Sequence, residues 1–416
     1  MKKDQTEVLV VGAGPVGLLT GILLAERGIE FQIIDFEERT AARSYACALH
    51  PSSLHLLNKL GVAEELLPHG RRIPKIAFYD GPLRRAEINL AELGGDFPFL
   101  LVVPQSELED ILEQCLRAKS PVNWKHRFDG FSLEENSVVA TVEKLSGTAV
   151  GYIVPHWETV VQKRYSIRSQ FLIGADGYNS LVRQRLGIEY ACMNGPQGFV
   201  ACEFNSNTPS DDELRIVLDE GTTNVLWPLA NDRYRWSFQL IHSNLPADFP
   251  EKERWATRSG EKALNEKIRA GLQKLILHRA PWFYAQIDEI LWCKQIAFEQ
   301  RLAKEFGRER CWLVGDAGHQ TGPVGVQSLN VGLRETEALT DILQKILRED
   351  APLDLLASYN RSRQDEWRGL LGMAGGLRPR ADTDPWIRNR SPRILPCLPA
   401  SDGDLPHLAN QLRLDY

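Results

Sequence analysis

Three segments, each an apolar run that ends in a glycine-containing polar turn, hold the residues best suited to chemistry. The first follows residues 8–11 and contains Gly12, Gly14, Pro15, Val16 and Gly17. Glycines at this spacing let the backbone approach a pyrophosphate and let the next helix, whose free N–H groups favour phosphate, pack closely on the strand. A second apolar run ends at Asp35 and Phe36, where an acid can bind a ribose hydroxyl. The spacing predicts a dinucleotide site; a tight turn without ligand is the alternative.

The last of the three segments extends this prediction to a flavin. It places Gly315 and Asp316 after an apolar strand, and a loop rich in glycine and proline then enters an amphipathic stretch at 333–347. A carboxylate at a strand end can hold a ribityl hydroxyl, and backbone N–H groups at a helix start suit the acceptor-rich edge of an isoalloxazine. The predicted flavin contacts in this loop are Pro323, Gly325, Val326, Gln327, Ser328, Leu329 and Asn330. A purely structural turn is the alternative.

The order of the segments resembles the group-A FAD-dependent aromatic hydroxylases, which are built like para-hydroxybenzoate hydroxylase. The middle segment, 171–177, with Asp176, is similar to the DG motif of that family, and 315–319 is similar to its GD motif. Arg43 resembles the arginine of the flavin loop, where it can bind a pyrophosphate or ribose. Gln105 resembles the glutamine that one subgroup places near the flavin. The likeness covers roughly residues 5–370.

The resemblance implies a chemistry centred on FAD. NADH or NADPH would reduce the flavin, O2 would add at C4a, and the resulting hydroperoxyflavin would hydroxylate a phenolic, quinoid or polyketide-like aromatic. The protein would supply orientation and a dry pocket. The chain has no second dinucleotide motif, which agrees with a nicotinamide cofactor that binds transiently. Epoxidation and Baeyer–Villiger insertion on the same fold are alternatives.

Two positions depart from the family pattern. Ser328 stands where the flavin loop commonly has glycine, and its hydroxyl could contact the flavin or oxygen; Glu335 and Thr336 replace a common Asp-Ala pair. These departures keep open a non-catalytic carrier of flavin or ligand. No catalytic residue is certain, but His50 and Ser328 are candidates. Two roles are open to His50: it could orient a phenol, or it could cap the helix at Ser52. The capping role is favoured.

The segments must be positioned by an α/β fold with a Rossmann-like FAD-binding lobe and an inserted, mostly antiparallel β-sheet substrate lobe. The predicted FAD-binding lobe comprises residues 1–72, 100–190 and 286–372, and the substrate lobe 73–99 and 191–285. Residues 373–416 are rich in proline, arginine and aspartate and have little periodicity, which predicts a partly ordered tail. Ser106 and Glu109 form a capping-box pattern before a helix, and 259–278 predicts an amphipathic helix over the sheet.

Candidate substrate contacts lie on two neighbouring strands of the predicted sheet. Trp227 and Pro228 belong to one, and Arg235 and Gln239 to the next. Alternation points Arg235 and Gln239 to one face and Trp236 to the other. Ordinary sheet packing is the alternative.

Composition agrees with a two-lobed globular enzyme. The 416 residues exceed the size at which one hydrophobic core keeps growing, and a net charge of -6 gives no basic field for nucleic acid. No apolar run reaches the roughly 20 residues of a membrane span. The seven cysteines lack metal-ligand spacing, which predicts no metal and gives little support for disulfides. We therefore expect a cytoplasmic protein, either a monomer or a homodimer, and the resemblance implies a small aromatic substrate.

Overall fold

The computed structural model describes residues 4–40, 48–150, 156–208, 211–219, 221–240, 254–255, 262–401 and 403–416. The predicted flavin contact Arg43 lies outside these residues. The helices are α1 (Pro15–Glu26), α2 (Pro51–Lys59), α3 (Ala63–Leu66), α4 (Gln105–Arg117), α5 (Leu181–Arg185), α6 (Lys262–Arg279), α7 (Gln327–Arg348), α8 (Leu355–Leu370), α9 (Pro385–Ile394) and α10 (Asp404–Gln411).

The strands are β1 (Gln5–Val11), β2 (Phe31–Ile34), β3 (Arg71–Ile73), β4 (Lys75–Asp80), β5 (Leu83–Asn89), β6 (Leu100–Val102), β7 (His126–Leu133), β8 (Val138–Val150), β9 (His156–Gly174), β10 (Tyr190–Asn205), β11 (Glu213–Leu218), β12 (Thr223–Pro228), β13 (Arg233–Gln239), β14 (Arg254–Trp255), β15 (Glu289–Ala303), β16 (Gly307–Arg308), β17 (Cys311–Leu313), β18 (His319–Gln320), β19 (Arg378–Pro379) and β20 (Leu414–Asp415). Short 3-10 turns span Leu67–His69, Leu90–Leu93, Gly315–Ala317 and Leu395–Cys397.

The first sheet has the order β16-β17-β9-β1-β2, with β8 and β7 continuing from β9. Strands β2, β1, β9 and β17 run parallel. Val8, Leu9 and Val10 of β1 are all fully buried, as expected for a parallel strand covered on both faces. This sheet confirms the α/β prediction for the first lobe.

The second sheet, of order β14-β15-β10-β13-β12-β11-β4-β5, is mostly antiparallel, as predicted. Its β4 and β11 pair in parallel although they lie far apart in the chain. Helix α6 covers one face, where Ile268 and Leu272 join Trp236 and Phe238 in one hydrophobic cluster. The opposite face gives Phe199 and Trp227 to the larger core shared with the first lobe. The predicted alternation along β13 and the helix over the sheet are therefore confirmed.

The C-terminal segment, residues 373–416, differs from the predicted tail because it is folded into the protein. It contains α9, α10 and the strand pair β19–β20. Ile394, Leu398, Leu405 and Leu408 are fully buried in the main core. The prediction was wrong because these apolar side chains are spaced irregularly between prolines and arginines, so no helical or strand period reveals their shared burial.

Three local predictions also need correction. Strand β15, which the predicted division gives to the FAD-binding lobe, pairs with β10 in the second sheet. The capping box at Ser106 is absent, because α4 begins at Gln105 with Pro104 as its N-cap, two residues before the predicted N-cap. Cys202 and Cys293 face each other across β10 and β15 and form a disulfide, a proximity that strand register creates and sequence spacing does not show.

Among the described residues, no helix combines the length and apolar composition needed to cross a bilayer.

Candidate active site

The predicted motifs meet at one edge of the parallel sheet. Strand β2 ends before Asp35, β1 before Gly12, β9 before Asp176, and β17 before Asp316. Because these strands are parallel, their carboxyl ends lie at the same edge, where open α/β sheets bind ligands. A Cβ added at Gly315 would lie 3.0 Å from Cγ2 of Val16, so the first and last motifs touch.

The glycines of the first motif have distinct roles. Gly12 has φ +106°, and a Cβ there would lie 2.3 Å from the carbonyl oxygen of Ala175. At Gly17 a Cβ would lie 2.0 Å from the Gly12 oxygen, so both positions require glycine for close packing. At Gly14, the N-cap of α1, a Cβ would meet no described atom within 4 Å, and no described side chain caps the helix. The first turn of α1, which begins with Pro15, thus offers uncapped N–H groups beside open space, and this fits a pyrophosphate.

Three carboxylates lie at this edge, and their partners differ. Asp35 accepts hydrogen bonds from the backbone N of Ala13 at 2.6 Å and of Glu37 at 2.8 Å. Asp176 accepts them from Ser180 Oγ and from backbone N atoms at the start of α5, so its side chain caps that helix. No described group donates a hydrogen bond to the carboxylate of Asp316. Burial raises the pKa of all three carboxyls. Of these three carboxylates, Asp316 is therefore the one that has no hydrogen-bond donor among the described residues.

Side chains of the flavin loop, residues 321–330, hold the loop itself in shape. Ser328 Oγ accepts a hydrogen bond from Thr321 N at 3.0 Å and also lies 3.2 Å from Thr321 Oγ1, so the hydroxyl bonds within the loop. Asn330 accepts from His50 N at 2.7 Å and donates to the carbonyl oxygens of Ala48 and Val326. Leu329 packs against the main core. The backbone N–H groups at the start of α7, rather than these side chains, are therefore the donors available to a planar ring.

Gln327 joins the flavin loop to the C-terminal segment. Its Nε2 donates to the carbonyl oxygens of Leu395 and Leu398 at 3.3 and 3.2 Å. Val326, the N-cap of α7, has the left-handed φ of 50°. The buried side-chain amide of Gln327 thus ties the loop to the C-terminal segment, a contact that the motif does not predict.

His50 supports the same loop. It is the N-cap residue of α2, but its side chain makes no capping bond, so that prediction was wrong. Instead Nε2 donates to the carbonyl oxygen of Gly325 at 2.8 Å. Burial lowers the pKa of His50 to about 3, so the ring is neutral near pH 7. The geometry makes His50 a support for the loop.

A buried network behind the GD turn was missed by sequence reasoning. Glu335 accepts hydrogen bonds from Gly315 N, His319 Nε2 and Trp367 Nε1, each at 2.9 Å. The His319 and Trp367 rings stack with centroids 3.9 Å apart. Burial alone would raise the pKa of Glu335, but His319, Arg363 and Trp367 outweigh it and lower the value. Glu335 thus fixes the turn that carries Asp316. The sequence did offer one signal for this network, because Glu335 is an acid on the buried side of α7 where the family commonly has another residue.

Three other predicted residues, Gln105, Phe36 and Arg235, make separate contacts. Gln105 is the first residue of α4 and donates from Nε2 to Glu109 Oε1 at 2.7 Å. Phe36 is exposed just after Asp35. Arg235 forms a buried ion pair with Glu203 at 2.9 Å and lies over the Trp292 ring. The charge of Arg235 is therefore compensated within the sheet.

A cavity of about 580 Å³ lies between the flavin loop, the second sheet and the C-terminal segment. Gln239 and Phe199 line it from the sheet, and Pro323 and Val324 from the loop. Pro392, Arg393 and residues 395–397 of the C-terminal segment close another side. Of the four predicted substrate contacts, Gln239 lines this cavity, whereas Trp227 and Pro228 are buried in β12 and Arg235 in β13. The volume is typical of a small-molecule site.

Replacing Gly325 with alanine is expected to lower the free energy of unfolding by about 1–3 kcal/mol. Its Cβ would lie 2.6 Å from the carbonyl oxygen of Pro396, so the flavin loop and the C-terminal segment would have to separate. Urea unfolding and tryptic cleavage in the arginine-rich segment measure the effect. Gly322→Ala is the matched control, because a Cβ there meets no described atom within 4 Å. Equal stability of the two variants would contradict the close contact.

The chain belongs to the FAD-binding domain family of the group-A flavoprotein hydroxylases, whose model matches residues 5–371. It is similar to an uncharacterized aromatic compound monooxygenase of Bacillus subtilis (strain 168), with 28% identity over 88% of this chain and 66% of the relative. It is also 25% identical to pentachlorophenol 4-monooxygenase of Sphingobium chlorophenolicum over 88% of this chain and 63% of that protein. The chain thus spans slightly less than two thirds of these relatives.

Solved structures share the fold. The p-nitrophenol 4-monooxygenase of Pseudomonas putida DLL-E4 superposes with a TM-score of 0.71 at 20% identity, covering 94% of this chain and 93% of that one. A flavin-dependent monooxygenase in complex with FAD and substrate gives a TM-score of 0.68 at 21% identity, covering 94% and 63%. At this identity the likeness establishes the fold alone.

Proposed function

We propose that this chain is an NAD(P)H- and O2-dependent FAD monooxygenase that hydroxylates a phenolic, quinoid or polyketide-like aromatic compound. The observation that carries the proposal is the cavity of about 580 Å³ directly beside the flavin loop. A substrate there would contact the flavin loop at Gly322, Pro323 and Val324, beside a ring bound by that loop. The names of the relatives, aromatic compound monooxygenase and pentachlorophenol 4-monooxygenase, support the same class.

The chain's own residues would hold FAD along the carboxyl edge of the parallel sheet. The turn at Gly14 would receive the pyrophosphate, and Arg43 would add a positive charge. Asp35 would lie by the adenosine ribose, and Asp316 would accept a ribityl hydroxyl. Bound FAD, reduced by NAD(P)H, supplies the activation of O2 and the transfer of one oxygen atom.

The remaining residues would orient and protect the reaction. Phe199, Pro323 and Val324 would pack on an aromatic ring and keep water out. His50 and Ser328 would keep the flavin loop rigid through their bonds to Gly325 and Thr321. A cytoplasmic monomer or homodimer, with the nicotinamide cofactor binding transiently, completes the proposal.

The test is the absorption spectrum of the purified protein followed by aerobic oxidation of NADH and NADPH with a panel of phenols, naphthols and polycyclic phenolics. We expect bound FAD, faster NAD(P)H oxidation with substrate, and a product one oxygen atom heavier. Tandem mass spectra of the products separate ring hydroxylation from epoxidation and Baeyer–Villiger insertion. Bound FAD with no stimulation by any phenol, and no reduction without oxygen, would instead indicate a carrier.

A further inference from the structure

The cavity beside the flavin loop has an unusual charge distribution. Among the described residues that line it, Arg393 is the only charged side chain, and no carboxylate or lysine is present. The thiol of Cys397 also lines the cavity, but burial raises its pKa to about 12 and keeps it neutral. A ligand in this cavity therefore meets one fixed positive charge.

The partners of Arg393 leave that charge without an opposing ion. Nη1 donates to the carbonyl oxygen of Asp219 at 2.8 Å, and Nη2 donates to the carbonyl oxygen of Thr222 and to Thr223 Oγ1 at 3.4 Å. A guanidinium has five N–H groups, so Nε and one N–H of Nη1 have no partner among the described residues.

The nearest carboxylates are already engaged with other arginines. The Asp219 carboxylate lies 3.7 Å from Arg279 Nε, and the Asp80 carboxylate lies 3.4 Å from Arg390 Nη2. Neither forms an ion pair with Arg393, although both are close enough to influence it. The Arg393 guanidinium is thus held in place by neutral oxygens, and two of its N–H groups have no described acceptor.

Neighbouring polar residues extend this corner of the cavity. Thr223 N donates to Gln239 Oε1 at 2.7 Å, which fixes the side-chain amide. Gln239 Nε2 then has no acceptor among the described residues. Together Arg393, Thr223 and Gln239 form a donor-rich corner, whereas Phe199, Pro323 and Val324 supply apolar wall. This combination matches an aromatic ring that carries an anionic oxygen group.

We propose that Arg393 selects aromatic substrates bearing a carboxylate or a comparably acidic oxygen group, which binds at the corner formed with Thr223 and Gln239. This inference rests on the proposed function for the identity of the cavity as a substrate site. Position 393 lies beyond the residues that the family model matches, so the selectivity belongs to the C-terminal segment of this chain. Helix α9 supplies the arginine, and the contact of residue 396 with Gly325 holds it beside the flavin loop.

The experiment is isothermal titration of the FAD-loaded protein, without NAD(P)H, with 3-hydroxy-2-naphthoate and with its uncharged amide. We expect the wild type to bind the acid about 10-fold or more tightly than the amide. Arg393→Gln should reduce the ratio of the two affinities by about 10- to 100-fold, the range for a charge-assisted hydrogen bond. Arg393→Lys keeps the charge and should retain part of the preference.

Arg390→Gln is the matched control, because Arg390 lies on the same helix but outside the cavity lining. It should keep the preference for the acid. The proposal is overturned if the acid does not bind, if wild type binds both probes equally, or if Arg393→Gln weakens both equally, since a packing role would lower both. A preserved acid preference without hydroxylation of any phenol would count against the proposed function alone.

Discussion

Replacing Glu335 with alanine is expected to lower the free energy of unfolding by about 3–5 kcal/mol, because three buried donors lose their acceptor. Those donors are Gly315 N, His319 Nε2 and Trp367 Nε1, each 2.9 Å from the carboxylate. The residue is fully buried, so water cannot replace the lost bonds without entering the core. Urea unfolding of the apoprotein measures the change.

Glu337→Ala is the control for this variant, since it lies two residues along the same helix. Among the described residues, the Glu337 carboxylate pairs with Lys59 alone, at 3.2 Å, and the lysine side chain is 69% exposed. Such a surface pair contributes about 0–1 kcal/mol. Unfolding of Glu335→Ala at the same urea concentration as Glu337→Ala would contradict the importance of the network.

The same network should make the free energy of unfolding fall as the pH becomes acidic. The pKa of Glu335 is lowered from its ordinary value of 4.5 in the folded protein. Its linked contribution to stability is therefore complete above pH 4.5 and is lost as pH falls through the lower folded value. The difference in unfolding free energy between wild type and Glu335→Gln should narrow in that acid range. A constant difference from pH 7 downward would contradict this assignment.

Replacing Asp316 with alanine is expected to weaken FAD binding by about 10- to 100-fold, the effect of losing one charge-assisted hydrogen bond to a hydroxyl. The apoprotein should keep its stability or gain some, because burial raises the pKa of Asp316 and no described group donates to it. Fluorescence titration of apoprotein with FAD gives the affinity, and urea unfolding gives the stability.

Asp176→Ala should differ from Asp316→Ala by lowering the stability of the apoprotein. Its carboxylate caps α5 through Leu181 N at 2.7 Å and Val182 N at 3.1 Å, so its loss should destabilise the apoprotein by about 1–2 kcal/mol. Wild-type FAD affinity in Asp316→Ala would mean that this carboxylate does not contact the cofactor.

The parallel edge of the first sheet was predictable because each motif there is local. An apolar run followed by Gly12 or by Gly315 and Asp316 encodes a strand and its turn within about ten residues. Parallel pairing then brings these turns together without further information. The alternation along β13 was predictable for the same reason, since side chains of successive strand residues face opposite sides.

What escaped prediction depends on contacts between distant parts of the chain. The acceptors of Gln327 are backbone oxygens of Leu395 and Leu398, and Glu335 meets its partners across three elements. The motif predicts Gln327, Ser328 and Asn330 as cofactor contacts because they lie in the flavin loop. Their side chains instead bond within the protein, which position in a motif cannot reveal. The capping-box pattern at Ser106 failed in the same way, because α4 begins at Gln105 with Pro104 as its N-cap.

The parallel pairing of β4 with β11 bears on how the protein reaches its fold. Ile76 can meet Leu214 only after the intervening chain, which includes β9 and its motif, has closed a long loop. Loop-closure entropy and the high contact order of such pairing slow folding. Refolding from urea should therefore be slow, with β4 and the edge strand β5 exposed until late, and neither lobe should be obtainable as an excised fragment.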